Sequence, residues 1–542
     1  MNDQTSAIAD SSAIAGWHDE ADVVVVGFGG AGAVAAIEAR EQGADVLVLD
    51  RFHGGGATAI SGGVFYSGGG TPIQQAAGVE DSVEAMEAYL RLEVKDAVSP
   101  ETLHDFCARS IENLTWLQRH GVPFEPSLCP VKTSYPTDRY YLYYSGNESF
   151  PPFRDAARPA ARGHRAKGTG LPGANFYEPL RASALALGVR ASYETKAVAL
   201  IHDDSGAVIG VEVRSLPEGS AAQQLHRKLN QRAIRWKNYN PGYAKRCWKR
   251  CESLEQTHGV TRRIRARRGV VLSAGGFIYN REMVAEHAPG YRPGMPLGTW
   301  GDDGSGIRLG VEAGGATERM DRVSAWRFIN PPMSWTRGVL LNGEGRRYVN
   351  EQLYGAAIGE AMVEDNGGKA LLLIDRDLWR ASRREVMWGR AQWFQAAPAL
   401  LSLYTNCRKA STIEELARAI RVPEDALRET IETYNEQART GAPDPFGKAA
   451  EARKVLEPPF RVIDCSITSK RFPCPTLTLG GLRVDEQSGL VRRADGSTVP
   501  GLYAAGRTAA GVCSQQYVSG LSIADCVYSG RRAGQHAATA GA

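Results

Sequence analysis

No run of roughly eighteen apolar residues occurs in this chain of 542, so no bilayer-spanning helix is expected. The opening MNDQTSAIADSSAIAGWHDE lacks the basic start and long apolar core of a secretory leader, and a cytoplasmic location is the expectation. Cysteine is sparse: there are nine, an odd number, scattered and without a CxxC pair. Cys247 and Cys251 form a CxxxC, but no second pair or His-x-His cluster accompanies them. Reduced structural cysteines are expected, and no metal. A net charge of only +4 is too small, at this size, to imply nucleic-acid binding. What the chain does have is glycine, 60 residues of it, clustered rather than periodic. That clustering points to close backbone approach to a ligand, not to a fibrous repeat. With 43% hydrophobic and 23% charged residues the composition is that of a globular enzyme, and the length asks for two or three domains.

The first glycine cluster has a defined meaning. Residues 21–51 read ADVVVVGFGGAGAVAAIEAREQGADVLVLDR. The apolar run 23–26 predicts a buried strand, and Gly27, Gly29 and Gly32 follow it in the order G-x-G-x-x-G around Gly30 and Ala31. An alanine-rich helix and a second apolar strand, 46–49, then lead to Asp50. Strand, helix, strand and acid in register make a complete βαβ dinucleotide unit rather than a lone glycine pattern. Gly27 permits the tight turn, Gly29 lets backbone N–H groups reach a pyrophosphate, and Gly32 lets helix and strand pack closely. The pyrophosphate belongs at the positive end of the helix, and Asp50 stands where an acid bonds the adenosine ribose.

NAD and FAD both use this unit, and two further segments choose between them. Directly after Asp50 comes RFHGGGATAISGGVFYSGGG, beginning at Arg51. Its Gly56, Ala57, Thr58, Ser61, Gly62 and Gly63 offer N–H and hydroxyl groups to a ribityl chain, a phosphate or a ring edge. Far downstream, residues 480–506 read GGLRVDEQSGLVRRADGSTVPGLYAAG, a strand, a hairpin and a strand that ends at Ala505 and Gly506. A C-terminal return to the first domain gives a flavin its second wall, which a nicotinamide enzyme does not need. FAD is therefore the expected cofactor.

Taken together, these segments resemble the fumarate reductase/succinate dehydrogenase flavoprotein family over nearly the whole chain. The likeness includes a strand at 270–273 followed by Ala274, Gly275 and Gly276. It implies an α/β fold: a Rossmann-like FAD-binding domain in two sequence segments, with an inserted α+β capping domain that carries substrate groups. The expected boundaries are 1–20 for a flexible N-terminus, 21–287 and 459–542 for the FAD-binding domain, and 288–458 for the cap. The resemblance also brings Val198, Arg507, Gly520, Leu521, Ser522 and Ile523 to the cofactor. Respiratory members tether FAD through a histidine just before the glycine pair. His53 sits in a different pattern, so noncovalent FAD is expected, and Arg507 stands where many members have an acid.

A fumarate-type site clamps two carboxylates with arginine and histidine. The histidine pattern is missing from residues 345–360, GRRYVNEQLYGAAIGE, where Tyr354 takes the place of the family's histidine. Near the C-terminus SQQYVSGLSIADCVYSG places Tyr517 and Ser519 just before a predicted helix. Tyrosines and a serine suit a neutral ketone, whose oxygen wants donors and whose neighbouring carbon must lose a proton. This combination resembles the 3-ketosteroid dehydrogenase branch, with Tyr-x-Ser at 517 and 519 closer to Δ4-(5α) than to Δ1 enzymes. Tyr517, Tyr354 and Ser519 are the expected catalytic residues, and the aromatic tract YPTDRYYLYYSGNE from Tyr135 is expected to wall an apolar pocket. Desaturation next to a ketone sends a hydride from the β-carbon to flavin N5 and the α-proton to a tyrosine. The helix beginning near Gly520 would favour a Tyr517 anion. Which tyrosine is the base stays open, as does the natural electron acceptor. A Δ1-dehydrogenase, an ene-reductase of the same family and an electron-transfer subunit are the alternatives.

Residues 217–259 exceed what a hairpin between two strands requires. Their middle, LHRKLNQRAIRWKNYNPGYAKRCWKRC over 225–251, carries Arg227, Lys228, Arg232, Arg235, Lys237, Lys245, Arg246, Lys249 and Arg250 with no acid among them. Trp236, Tyr239, Tyr243 and Trp248 are interleaved. Such a run reads as a membrane-surface patch, a solvated insertion or a subunit contact. It is expected to stand apart from the cofactor segments.

Overall fold

The computed structural model describes residues 9–10, 16–388 and 391–540. Of the expected N-terminal segment, residues 1–8 and 11–15 lie outside the described ones. The apolar run of the dinucleotide unit forms the strand Asp19–Val26, whose last four residues are buried. A continuous apolar run of this kind is what a central parallel strand covered on both faces requires. Val46–Leu49 lies parallel on one side of it and Val260–Leu272 parallel on the other. The C-terminal strand Thr498–Ala504 adds in parallel beside Val260–Leu272, with Val270 opposite Leu502. Both ends of the chain thus share one nine-stranded sheet.

Two small-residue helices, Gly30–Glu41 and Leu521–Thr539, cross one face of that sheet. Their backbones approach because glycines face alanines. A Cβ on Gly530 would stand 2.7 Å from the Ala31 carbonyl oxygen, and one on Gly534 would overlap that of Ala35. Thr195–His202 and Val208–Ser215 extend the sheet antiparallel from the first half of Val260–Leu272.

The cap is built on four antiparallel strands, Val339–Leu341, Leu371–Asp375, Phe460–Asp464 and Cys407–Ala410, in that order. Phe460–Asp464 lies past the expected boundary at residue 458, yet Phe460 pairs with Asp375 and Asp464 with Leu371. The four-stranded sheet therefore includes a strand beyond residue 458. FRVID reads as a buried strand whichever sheet it joins, so local sequence could not place it. A short sheet of Met295–Pro296, Pro475–Thr478 and Val323–Ala325 joins cap and core.

Candidate active site

The glycine order folds as its spacing requires. Gly27 has φ +102°, and a Cβ there would press on the Ser273 carbonyl. One on Gly32 would overlap the Gly27 carbonyl oxygen, so only glycine lets helix Gly30–Glu41 start against the strand. Gly29 differs. A Cβ on it would meet nothing nearer than Gly56 Cα at 3.9 Å. The backbone of Gly29 and Gly56 therefore borders open space at a helix N-terminus, the place and polarity a pyrophosphate needs.

Thr58 is buried and its Oγ1 accepts the Gly30 N–H at 3.2 Å, tying the second glycine cluster to the first. Ser61 Oγ donates to the Thr58 carbonyl and accepts the Gly63 N–H, so it shapes the turn. Gly62 leaves room for the Tyr135 ring, and Gly63 (φ +60°) for the Pro172 carbonyl. Gly56 and Ala57 open the short helix Gly56–Ala59. A Cβ on Gly506 (φ +59°) would stand 2.8 Å from the Ala31 methyl, and Ala505 N–H donates to Leu272 O. The C-terminal segment thus meets the first helix as expected for a two-segment cradle. Ala274, Gly275 and Gly276 lie at the same edge, where the Gly276 N–H donates to Asp302. Val198 falls at a register shift between Ala197 and Ala199, a bulge that breaks the ladder pairing there. Leu521, Ser522 and Ile523 form the first turn of helix Leu521–Thr539 behind Gly520 (φ +92°).

Asp50 lies at the end of Val46–Leu49, where its carboxylate accepts N–H groups from Phe28, Phe52 and Gly54. Burial pushes its carboxyl up, and these amides work against the rise. Arg51 turns the other way. Its guanidinium pairs with Glu255 at 2.9 Å and Asp303 at 3.0 Å, while Glu252 lies at 3.5 Å. Two of these acids belong to the basic insertion, which folds as a hairpin of helices Ala221–Trp236 and Pro241–His258. His226 stacks on Phe52 at 5.6 Å, and its Nε2 is bonded to Glu255. The insertion is thus remote from the cofactor segments in sequence but packed against Arg51 and Phe52 in space. The acids that dock it lie just beyond the acid-free stretch, which is why that stretch alone suggested separation.

The three expected catalytic residues come together, and each is set by a different element. Tyr354 caps the cap helix Gly355–Glu360, and its N–H donates to Asn147 Oδ1 at 2.7 Å. Tyr517 and Ser519 precede helix Leu521–Thr539. The rings of Tyr354 and Tyr517 lie 6.4 Å apart and near parallel. Trp326 (4.8 Å from Tyr517) and Phe328 (5.3 Å from Tyr354) close the figure, themselves 5.7 Å apart. Four aromatic rings in mutual contact therefore form one continuous apolar surface. Arg327, between Trp326 and Phe328, turns into the core and donates to the carbonyls of Cys465, Phe472 and Pro473. It is not available as a carboxylate clamp.

Hydroxyl groups stand beside this cluster. Ser519 Oγ lies 2.8 Å from Tyr143 Oη and also interacts with the Tyr354 hydroxyl. Burial holds the Tyr354 and Tyr517 phenols well above the usual range, so both are neutral at ordinary pH. For Tyr517 the Gly520 N–H opposes that rise from the acceptor side. Lys132 Nζ sits 5.4 Å over the Tyr354 ring and donates to Tyr144 O, and burial draws its pKa down to about 8.

Sequence reasoning missed four members of the site. Tyr143 lay inside the tract expected to wall the pocket, but nothing local told it from Tyr140 or Tyr144. Trp326 and Phe328 alternate with Arg327 just after strand Val323–Ala325, a period-2 signal that was there to read. Asp302, buried, accepts from Gly276 N and Thr299 N and pairs with Arg507 at 2.7 Å. The arginine that replaces the family's acid is thus matched by an acid from the segment before helix Ser305–Glu312.

A parallel sheet closed by both chain ends, with an open glycine-lined helix start, defines a flavoprotein-type dinucleotide domain. Comparison with known proteins gives the particular family. The FAD binding domain family model matches residues 22–520. The 3-oxo-5-alpha-steroid 4-dehydrogenase of Comamonas testosteroni is 40% identical over 506 residues, 90% of this chain and 93% of that protein. A 3-oxosteroid 1-dehydrogenase of Mycobacterium tuberculosis is 26% identical, over 92% of this chain and 94% of its own. Among solved structures, the 3-ketosteroid Δ4-(5α)-dehydrogenase of Rhodococcus jostii RHA1, in complex with 4-androstene-3,17-dione, superposes with a TM-score of 0.81. It is 33% identical, covering 98% of this chain and 99% of that one. The chain belongs to the FAD-binding flavoprotein family and is an FAD-dependent oxidoreductase.

Proposed function

We propose that this protein desaturates a saturated 3-ketosteroid next to its ketone, as a Δ4-(5α)-dehydrogenase. The observation that carries the reading is the four-ring cluster beside the hydroxyls of Tyr143, Tyr354, Tyr517 and Ser519, with the neighbouring Arg327 turned into the core. An apolar ketone suits aromatic faces and neutral hydroxyl donors, whereas a dicarboxylate needs cations. The relative from Comamonas testosteroni, at 40% identity, supports the Δ4-(5α) position, whereas the Δ1 relative stands at 26%.

FAD, when bound, supplies the acceptor for the hydride that leaves the β-carbon. The residues divide the remaining work. Tyr517 receives the Gly520 N–H on its oxygen, leaving its own O–H to give to the substrate ketone. Burial keeps that phenol protonated, the form a ketone donor needs. Ser519 is the hub of the proton path. Its hydroxyl interacts with that of Tyr354, and this pair is the group placed to take the α-proton. Lys132 Nζ, 5.4 Å over the Tyr354 ring, favours negative charge that develops there during proton transfer. Tyr143 fixes the Ser519 hydroxyl from the other side.

Anaerobic mixing tests the assignment. A 5α-saturated 3-ketosteroid should bleach the yellow flavin, and the 4-ene-3-ketone should not. Bleaching by the 4-ene-3-ketone alone would transfer the assignment to Δ1 chemistry. Reoxidation of the reduced enzyme by fumarate would favour an ene-reductase.

Asp50 at the adenosine ribose, Val198 beside the adenine and Ser522 and Ile523 at the flavin belong to the same proposal. So does noncovalent attachment, supported by the place of His53 against the Tyr193 ring, 4.6 Å away, beside Arg181 and Glu194. Acid precipitation should accordingly leave all FAD in the supernatant; colour retained on the pellet would reveal a covalent tether. An anionic membrane surface is a candidate partner of residues 225–251, supported by exposed cations on both hairpin helices. Among the described residues no helix is long and apolar enough to cross a membrane.

A further inference from the structure

The hairpin has two unlike faces. Ala244, Cys247, Trp248 and Cys251 of its second helix are buried, as are His226, Asn230 and Ala233 of the first. On the outer sides Arg232, Arg235, Lys245, Arg246, Lys249 and Arg250 are exposed, and among the described residues no salt bridge pairs any of them with an acid. This is an excess of positive charge that the fold itself does not neutralise.

At the tip of the hairpin the charge gives way to aromatic surface. Trp236 is 45% exposed, Tyr239 64% and Trp393, at the start of cap helix Trp393–Thr405, 62%. Large aromatic side chains left this open are costly in water unless something covers them. They are also contiguous: Trp236 lies 6.4 Å from Tyr239, which stacks on Trp393 at 6.3 Å and 8°. The row then runs inward. Trp393 touches Phe394 at 6.2 Å, Phe394 touches Tyr135 at 5.8 Å, and Tyr135 touches Tyr143 at 6.4 Å. Tyr143 is the residue bonded to Ser519. Gln392, just before Trp393, is buried and donates to Pro136 O and Asp138, which fastens this cap helix to the segment carrying Tyr135.

We propose that the hairpin tip and the start of helix Trp393–Thr405 form the substrate mouth, and that this mouth docks on an anionic phospholipid surface. The inference rests on the steroid reading above and adds a location and a source for the substrate. Basic side chains flank the mouth and hold it to lipid headgroups. Trp236, Tyr239 and Trp393 enter the interfacial layer, where a ring with one polar edge is at home. A steroid dissolved in the bilayer then passes along the aromatic row to the hydroxyls at Tyr143 and Ser519 without crossing bulk water. A flat ring system gains contact with aromatic faces at each step.

The test uses the holoenzyme and a variant carrying Lys245→Glu, Arg246→Glu, Lys249→Glu and Arg250→Glu. Deleting the hairpin would be a poor choice, because Arg51 and Phe52 would lose their partners. At low salt the native enzyme should sediment with vesicles of phosphatidylcholine and phosphatidylglycerol and stay behind with phosphatidylcholine alone. With a 5α-saturated 3-ketosteroid held in the anionic vesicles, its turnover should exceed that of the variant at least about tenfold, the gap closing at high salt. On the same steroid in free solution the two should match. Equal rates on vesicle-held steroid, or no sedimentation at low salt, would overturn the docking proposal, and self-association through this face would replace it. Failure of the native enzyme on free steroid would instead sink the functional assignment, leaving a distinct signature.

Discussion

Tyr517→Phe should keep its FAD and its fold and lose at least about two orders of magnitude in turnover, the range for a positioned donor or acid–base group. The ring stays, so contacts with Trp326 at 4.8 Å and Tyr354 at 6.4 Å survive. What disappears is the Tyr517 hydroxyl, the proposed ketone donor, and the enolate that develops as the α-proton leaves loses it. The change should fall on turnover rather than on flavin content, because the ring and the Gly520 backbone stay in place when only the hydroxyl is removed. Ser519→Ala should cost as much, since it cuts the link between the α-carbon and Tyr354. Tyr354→Phe should do likewise, while Tyr143→Phe, which only orients Ser519, should be milder. Turnover with an artificial acceptor and the flavin spectrum of each purified variant decide the matter. Near-normal turnover in both Tyr517→Phe and Tyr354→Phe would end the hydroxyl mechanism.

How far such residues could be found without a structure depends on what holds them. The dinucleotide unit was legible because its spacing is local: Gly32 must clear the Gly27 carbonyl within one βαβ turn, although Ser273, at the end of a distant strand, also presses on Gly27. The return of Thr498–Ala504 to the same sheet was legible through the AAG that ends it, an inference from pattern rather than from packing. Tyr354 was singled out because it stands where the family has a histidine, and Tyr517 because it precedes a predicted helix in a Tyr-x-Ser pattern. Tyr143 was lost among the tyrosines of its tract, since its role depends on pairing Leu142 with His164 in a small antiparallel sheet far from Ser519 in sequence. Asp302 was lost for the same reason, because it acts on partners at Gly276 and Arg507. The insertion was misplaced because its ties to Arg51 run through Glu252 and Glu255, outside the basic run that drew attention. Short-range geometry is written in spacing; long-range charge pairing is not.

Gly29→Val should yield a folded, colourless protein with no activity, and Gly32→Val a protein that does not fold. The two glycines stand three residues apart in one turn, and both are expected to be intolerant, but for different reasons. Gly29 has φ −86°, which a residue with a side chain adopts without strain. Its Cβ would meet no protein atom nearer than 3.9 Å, so valine there costs the apoprotein little. The space it fills is the space the pyrophosphate needs, and the helix N-terminus loses its ligand. Gly32 has no such space. A side chain there would strike the Gly27 carbonyl oxygen and the Ser273 hydroxyl, prising the helix from the strand. Overpacking of this kind costs about 1–3 kcal/mol where the neighbours can yield, and more where, as here, the obstacle is backbone. Circular dichroism should therefore show native secondary structure for Gly29→Val and its loss for Gly32→Val. Added FAD should raise the melting temperature of cofactor-stripped native protein, because it binds only the folded state, and leave that of Gly29→Val unmoved. A yellow Gly29→Val protein would show that the pyrophosphate lies elsewhere, and the cradle drawn from Gly29, Gly30 and Gly56 would have to be abandoned.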